Sequence, residues 1–370
     1  MRRYRRRVSG DAAAADAAPP APKKASRRSQ VISALVMVVT LVVVFFFLAE
    51  KFGGYADAIS AIKAMPAWSL ALLGVAVVLN IVVYVWPFLV ALPGLRFGPG
   101  FVVRQTSFLI SNTVPAGGAF GLAVQYGMLG SYGIGAGATT SAIAINSVWN
   151  VLATIAMPAI GAIALLISGD LTTKDVVIGG VSLLVVVVAA VVLRLILSSE
   201  QGARRVGTLA ENVVEWLLRV VRRPRHVDVT TATLNLRSNM AGTVDKAWIR
   251  LSLSNLAMQL TAWFVLFVAL RGVQAESGPP YVTWSQSLAA FALARLATFI
   301  PITPGGLGTV DAALTTLLVD FGASNSEALA ATLVWRAGTF VPQALLGVVT
   351  LVWWRATKRR REARLASGTS

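Results

Sequence analysis

The sequence predicts an all-α fold, a polytopic helical bundle built for a membrane, and three observations carry that prediction. Apolar residues make up 56% of the chain and charged ones only 13%, with a mean hydropathy of +0.71, whereas soluble domains carry about 25% charge. Six apolar runs, at 31–49, 67–92, 138–168, 176–198, 248–272 and 327–354, approach or exceed the roughly 20 residues that cross hydrocarbon as a helix. Two further apolar segments, about 100–132 and 284–322, are interrupted midway by helix breakers, Pro115-Ala-Gly-Gly118 and Pro301-Ile-Thr-Pro-Gly-Gly306.

Residues 1–30 hold nine basic and two acidic side chains among Ala, Pro and Ser. That composition reads as a disordered basic cytoplasmic tail. The run 31–49 is longer than a signal-peptide core and is followed by Glu50-Lys51-Phe52, which is no small-residue cleavage pattern, so it reads as a retained first span. The bundle is expected over 31–357, with a second basic tail at 358–370.

Each half of the two broken segments is short for a full crossing. The expected arrangement is therefore six spans plus two hairpins of half-helices, either re-entrant or tilted enough to span. Peptide that stops being helical at membrane depth must be buried in protein or line a polar cavity. The breaks thus mark where a pathway or pocket would form.

Basic residues set the orientation. The segment 199–250 has nine Lys/Arg against five acids and 355–370 has six against one, while 50–66, 169–175 and 273–283 are neutral or slightly acidic. The positive-inside rule then places both termini and the 199–250 segment in the cytoplasm of a bacterial inner membrane. With that topology the first hairpin enters from the cytoplasm and the second from outside.

Three landmarks recur in order along the chain. Gly117-Gly118 matches Gly305-Gly306, Trp149-Asn150 matches Trp335-Arg336, and Pro158 matches Pro342, at offsets of 188, 186 and 184. They predict an inverted repeat, about 67–168 and 248–354, of the kind that places substrate near the midplane between discontinuous helices. The alternative is chance likeness between Gly/Ala-rich helices.

Between the repeats, 199–247 forms a cytoplasmic element. Val206, Leu209, Val213, Trp216 and Val220 recur at helical spacing opposite Arg205, Glu215, Arg219 and Arg222, up to Pro224. This amphipathic helix either lies on the inner leaflet, where the basic tails and loop would meet anionic lipids, or packs on the bundle.

Charge at membrane depth is costly and marks function by default. Counted from Trp284, Arg295 lies about 16 Å in at 1.5 Å per residue, and Arg336 is similarly deep when counted from Glu327. Asp311, just past the second break, can neutralise only one of them. A lipid phosphate suits the other, since guanidinium pairs bidentately with phosphate and the half-helix after Gly306 adds N–H groups. The competing expectation is an Arg-Asp-Arg cluster that only fixes helix packing, and Asp311 also suits its helix dipole without any ligand. Arg104, a few residues inside the first hairpin, is expected to snorkel to headgroups. Asn112, Gln125, Asn146 and Asn150 surround the first break, where they either satisfy freed backbone groups or contact a headgroup.

Several classes are excluded. There are no cysteines, and the single histidine, His226, sits in a basic polar stretch, so metal and redox chemistry are not expected and no cofactor is called for. The net charge of +17 lies in blocks beside apolar runs; it encodes topology and lipid contact rather than nucleic-acid binding. No phosphate-binding Gly-rich loop, no His-Glu-x-x-His and no acid cluster is present, so an enzyme is not expected.

The stretch Asn112-Thr-Val-Pro-Ala-Gly-Gly-Ala-Phe-Gly121 with Tyr126-Gly-Met-Leu129, then Pro301-Ile-Thr-Pro-Gly-Gly-Leu-Gly308, Asp311-Ala-Ala-Leu314 and Trp335-Arg336, resembles the transmembrane region of lysylphosphatidylglycerol synthases and their stand-alone flippase-like relatives. The resemblance covers most of 30–357. It implies a bacterial inner-membrane bundle that moves or presents phospholipid, in some members aminoacylated phosphatidylglycerol. The site residues it carries over are Gly305, Gly306, Gly308, Asp311 and Arg336. Asp311 stands where Glu is frequent in the family, and Ala119 to Gln125 lacks the charge often found in the first motif. With the chain reaching Ser370 and no aminoacyl-transferase domain in it, synthesis of lysyl lipid is not expected.

The combined expectation is a flippase-like lipid transporter. It would hold an anionic headgroup among Arg295, Pro304, Gly305, Gly306, Gly308, Asp311 and Arg336 of the second half and Asn112, Pro115, Gly117, Gly118, Gln125 and Asn150 of the first. The ligand would be a phospholipid or a polyprenyl-phosphate-type lipid. The alternative is a non-transporting lipid-binding partner of a cell-envelope enzyme; a second copy of the chain or such an enzyme is the protein partner left open.

Overall fold

A computed structural model describes residues 55–113, 117–220, 229–275, 278–279, 281–300, 306 and 308–366. The tail 1–30 and the expected span 31–49 lie outside them, as do Pro115, Pro304 and Gly305. All regular structure among the described residues is helical. Five helical stretches are long and apolar enough to cross a membrane: Ala67–Ala91, Ala136–Ser168, Thr173–Ser198, Ala247–Val273 and Asn325–Thr357. They coincide with the last five of the six expected spans.

A short helix α1 (Tyr55–Lys63) leads into α2 (Ala67–Val83) and α3 (Trp86–Ala91). Pro87 in the first turn of α3 has no N–H and crowds the carbonyl one turn back, so the 67–92 segment bends at Tyr84 and Val85. The first broken segment becomes α4 (Phe97–Thr113) and α5 (Gly117–Ser131). Gly117 lies against the carbonyls of Ile110 and Ser111, Gly121 against Ser111 and Ser107, and Gln125 donates to the Ser107 hydroxyl at 2.7 Å. As α5 advances its contacts step back along α4, so the pair is an antiparallel hairpin.

Helix α6 (Ala136–Ser168) ends where Gly169 adopts φ +78°, a left-handed cap that favours glycine. Next, α7 (Thr173–Ser198) opens with a capping box between Thr172 and Asp175. It is largely lipid-facing: Val177, Leu183, Leu184 and Val188 are all exposed, as a helix in hydrocarbon can afford to be. Helix α8 (Glu200–Val220) then folds back on α9 (Val229–Val273). Thr233 donates to the Ala203 carbonyl, the Thr230 N–H donates to Glu211 at 2.8 Å, and Gly207 lies against Thr230. Helix α8 thus packs on its neighbours α7 and α9 while Leu209 of its apolar face stays exposed, and the 248–272 span is the second part of a 45-residue helix.

The second broken segment is α10 (Trp284–Leu296) with a 3-10 turn (Ala297–Phe299), then α11 (Thr309–Asp320) after the break. Helix α12 (Asn325–Ala366) closes the chain and runs through most of the stretch expected as a basic tail.

Side-chain contacts fix the relative directions. Trp149 of α6 bonds Ser252 and Thr154 accepts from Gln259, so α6 and α9 run parallel. Trp335 bonds the Ala262 carbonyl and Glu327 pairs with Gln274, so α12 runs antiparallel to α9. Helices α6 and α12 therefore point in opposite directions, and α4–α5–α6 is repeated upside down by α10–α11–α12.

The two hairpins cross over. Gly161 of α6 lets Ala289 and Ala292 of α10 approach closely, and Gly347 of α12 lets Gln105 and Leu109 of α4 do the same. These glycines are 186 residues apart, as are Trp149 and Trp335. In lipid, where helices gain little by hiding apolar surface from one another, such close approach at small residues is a main source of association. Each hairpin is thus seated on the long helix of the opposite repeat.

Candidate functional site

Where the two hairpins meet, a cavity of about 580 Å³ opens in the middle of the bundle. Its walls come from both repeats: Asn112 and Arg104 of α4, Asn146 and Asn150 of α6, Arg295 and Thr298 at the end of α10, Gly306 of the second break, and Arg336 of α12. Asn80, Tyr84, Gln259 and Gln343 complete the polar lining. A bundle whose outer surface is apolar thus turns its amides and cations inward.

The acid lies just behind the wall. Asp311 is 6% exposed; its Oδ1 accepts from Arg336 Nε at 2.7 Å, with Nη2 of the same guanidinium 2.5 Å away. Its Oδ2 accepts the Gly308 N–H at 2.8 Å. Gly308 has φ +86°, a conformation that L side chains rarely adopt, and this turn aims its N–H at the carboxylate. Asp311 therefore caps α11 and neutralises Arg336 at once. Arg336 also lies 4.8 Å from the Trp335 ring centroid.

Arg295 has no such partner. Its Nε is buried without a hydrogen-bond partner among the described residues, and no carboxylate there lies within ion-pair distance. Arg104 corrects the expectation of a snorkelling residue: it is 9% exposed and its guanidinium is stacked 4.3 Å from the Tyr84 ring centroid. Phe88 lies on the same cation at 5.5 Å, and Arg104 Nε likewise has no partner among the described residues. Cation–π contact of this kind holds a desolvated guanidinium in place without neutralising it.

Amides join the walls. Gln343 donates to Asn80 at 3.4 Å, Asn80 donates to Thr261 at 3.2 Å, and Gln259 donates to Thr154 at 2.9 Å. Asn112 spends its Nδ2 on the Phe108 carbonyl one turn back. The carbonyl oxygens of Asn146 and Gln343 are buried and unpartnered among the described residues.

Of the residues singled out from the sequence, the cavity brings together Arg104, Asn112, Asn146, Asn150, Arg295, Gly306 and Arg336, with Asp311 and Gly308 directly behind. Gln125 is turned into the α4–α5 contact, Gly117 is buried against the α4 carbonyls, and Gly118 faces open space, so these three build the hairpin rather than the wall. Sequence reasoning missed Asn80, Tyr84, Gln259 and Gln343. The available signal was the presence of an amide or phenol inside an otherwise apolar run.

Five long apolar helices around a polar, cationic cavity define a multi-pass membrane protein. The family model described as the lysylphosphatidylglycerol synthase transmembrane region matches residues 30–347, and the chain belongs to that family, whose setting is lipid metabolism or transport. No curated protein matches the chain.

Proposed function

We propose that this protein carries an anionic lipid across the bacterial inner membrane, holding the headgroup in the central cavity between the two hairpins. The observation that carries the reading is the cationic lining: Arg104, Arg295 and Arg336 share one cavity, with no carboxylate among its described lining residues. A guanidinium at membrane depth needs an anion, and the lipid phosphate is the anion that a bilayer supplies. The inverted repeat supports an alternating mechanism in which one repeat rocks against the other around a fixed headgroup site. Transport would be facilitated or ion-coupled, with no chemical step. Both termini and the 199–250 segment would lie in the cytoplasm.

The test is a leaflet-resolved lipid exchange assay in liposomes with the wild type, Arg336→Ala and Asp311→Asn. Exchange should be fast in the wild type and lost in both variants. Wild-type rates in both would remove this pair from the mechanism.

A second reading, a non-transporting partner of an envelope enzyme, rests on α9. At 45 residues and 1.5 Å per residue it is about 68 Å long, roughly twice a bilayer core, and its first half with α8 forms a docking arm. Protein that is inactive in liposomes yet co-purifies with an enzyme would favour this reading.

A further inference from the structure

The number of charges at the cavity limits what can occupy it. Three guanidiniums line the wall, and the acid in contact with them among the described residues, Asp311, is committed to Arg336. The neighbouring chain at 114–116 and 301–305 contains no charged residue. Two positive charges are therefore left over, Arg104 from the first hairpin and Arg295 from the second, each with a buried Nε lacking a partner among the described residues.

Arg104 is further arranged to bind. Its guanidinium carbon lies 4.3 Å from the Tyr84 ring centroid, so the ring holds the cation without satisfying its hydrogen-bond donors, and a guanidinium can give a phosphate two parallel hydrogen bonds. We propose, on the headgroup reading given above, that the ligand is a lipid whose phosphate group bears two negative charges, a phosphomonoester or a diphosphate. A phosphodiester headgroup carries one charge and leaves one guanidinium unmatched. An aminoacylated one adds ammonium groups to a site already in positive excess, so this member of the family would reject it.

The experiment is native mass spectrometry of the purified full-length chain. It is given equal amounts of phosphatidic acid, a polyprenyl diphosphate, phosphatidylglycerol and lysylphosphatidylglycerol. At pH 8, above the second phosphomonoester pKa of about 6, phosphatidic acid as a dianion and the diphosphate, with at least two charges, should both be retained at least about tenfold over phosphatidylglycerol, a difference of about 1.4 kcal/mol, and the lysyl lipid should be excluded. At pH 5 phosphatidic acid should lose its advantage because it becomes a monoanion, while the diphosphate keeps it, which separates the two sources of charge. Arg104→Gln should bring the ratios toward one and Arg104→Lys should preserve most of them. Should either variant fail to fold, the wild-type pH dependence still decides. Equal retention of phosphatidic acid, diphosphate and phosphatidylglycerol at pH 8 overturns the charge inference and leaves the headgroup reading standing. No anionic lipid retained above an equal amount of phosphatidylcholine overturns both.

Discussion

The two repeats share their scaffolding and differ in their charge. Gly161 and Gly347 receive the opposite hairpin, Trp149 and Trp335 both bond α9, and Pro158 and Pro342 both interrupt a long helix. Yet at the 186-residue offset, Asp311 and Arg336 correspond to Gln125 and Asn150. The ion pair of one half is a pair of neutral amides in the other. Nor do the two unmatched cations correspond, since Arg104 aligns with Ala290 and Arg295 with Leu109. What repeats is therefore what helices need in order to pack, and what does not repeat is what a ligand would meet.

The largest expected effect tests that asymmetry directly. Asp311→Ala strips Arg336 of its carboxylate and Gly308 of its acceptor, and should cost about 3–5 kcal/mol, the penalty for orphaning a buried charge. Gln125→Ala at the matching position removes one neutral hydrogen bond and should cost about 0.5–1.5 kcal/mol. Thermal unfolding of the purified variants in detergent compares them, and equal losses would mean the second half is not special.

A smaller contrast probes the shared scaffold. A methyl at Gly347 would sit 2.6 Å from the Gln105 carbonyl oxygen, whereas one at Gly161 meets its nearest atom, Ala289 Cα, at 3.0 Å. Gly347→Ala should thus destabilise by about 1–3 kcal/mol, the usual range for overpacking, and Gly161→Ala by less. A reversed order in the same melting experiment would show that the two crossings are not equivalent.

The smallest effect concerns charge in water rather than charge in the core. Glu200 accepts from Arg204 one turn on, and this hydrogen bond, with the cation's charge, holds its carboxyl below the ordinary 4.5. Its contribution is present above that value and fades as pH falls through the depressed one. Glu200→Gln should lower the neutral-pH melting temperature only slightly, and that small difference should fade as pH falls through the depressed value and vanish in high salt.

Much of this was legible in the chain. Long apolar runs fixed five described spans because length alone decides whether a helix can cross hydrocarbon. The Pro/Gly clusters located both helix breaks, and the sequence showed that Asp311 could neutralise only one of Arg295 and Arg336, while the fold decides that the partner is Arg336. Arg104 was misread because counting residues from the hairpin start gives depth but not direction; Tyr84, brought over it by the bend at Pro87, decides where it points. Asn80, Gln259 and Gln343 escaped for a related reason. When one face of a helix meets lipid and the other meets protein, both are apolar, and the periodicity that would reveal the inward face disappears.

The crossed seating of the hairpins also has a consequence for biogenesis. The resting place of α4 is α12, a helix made long after it, so the amino-terminal half must wait, inserted but unfinished, until that helix emerges. A stop codon ahead of α12 should therefore do its damage at the beginning: loss of that helix would unseat the first hairpin and expose an immature chain to quality-control proteases.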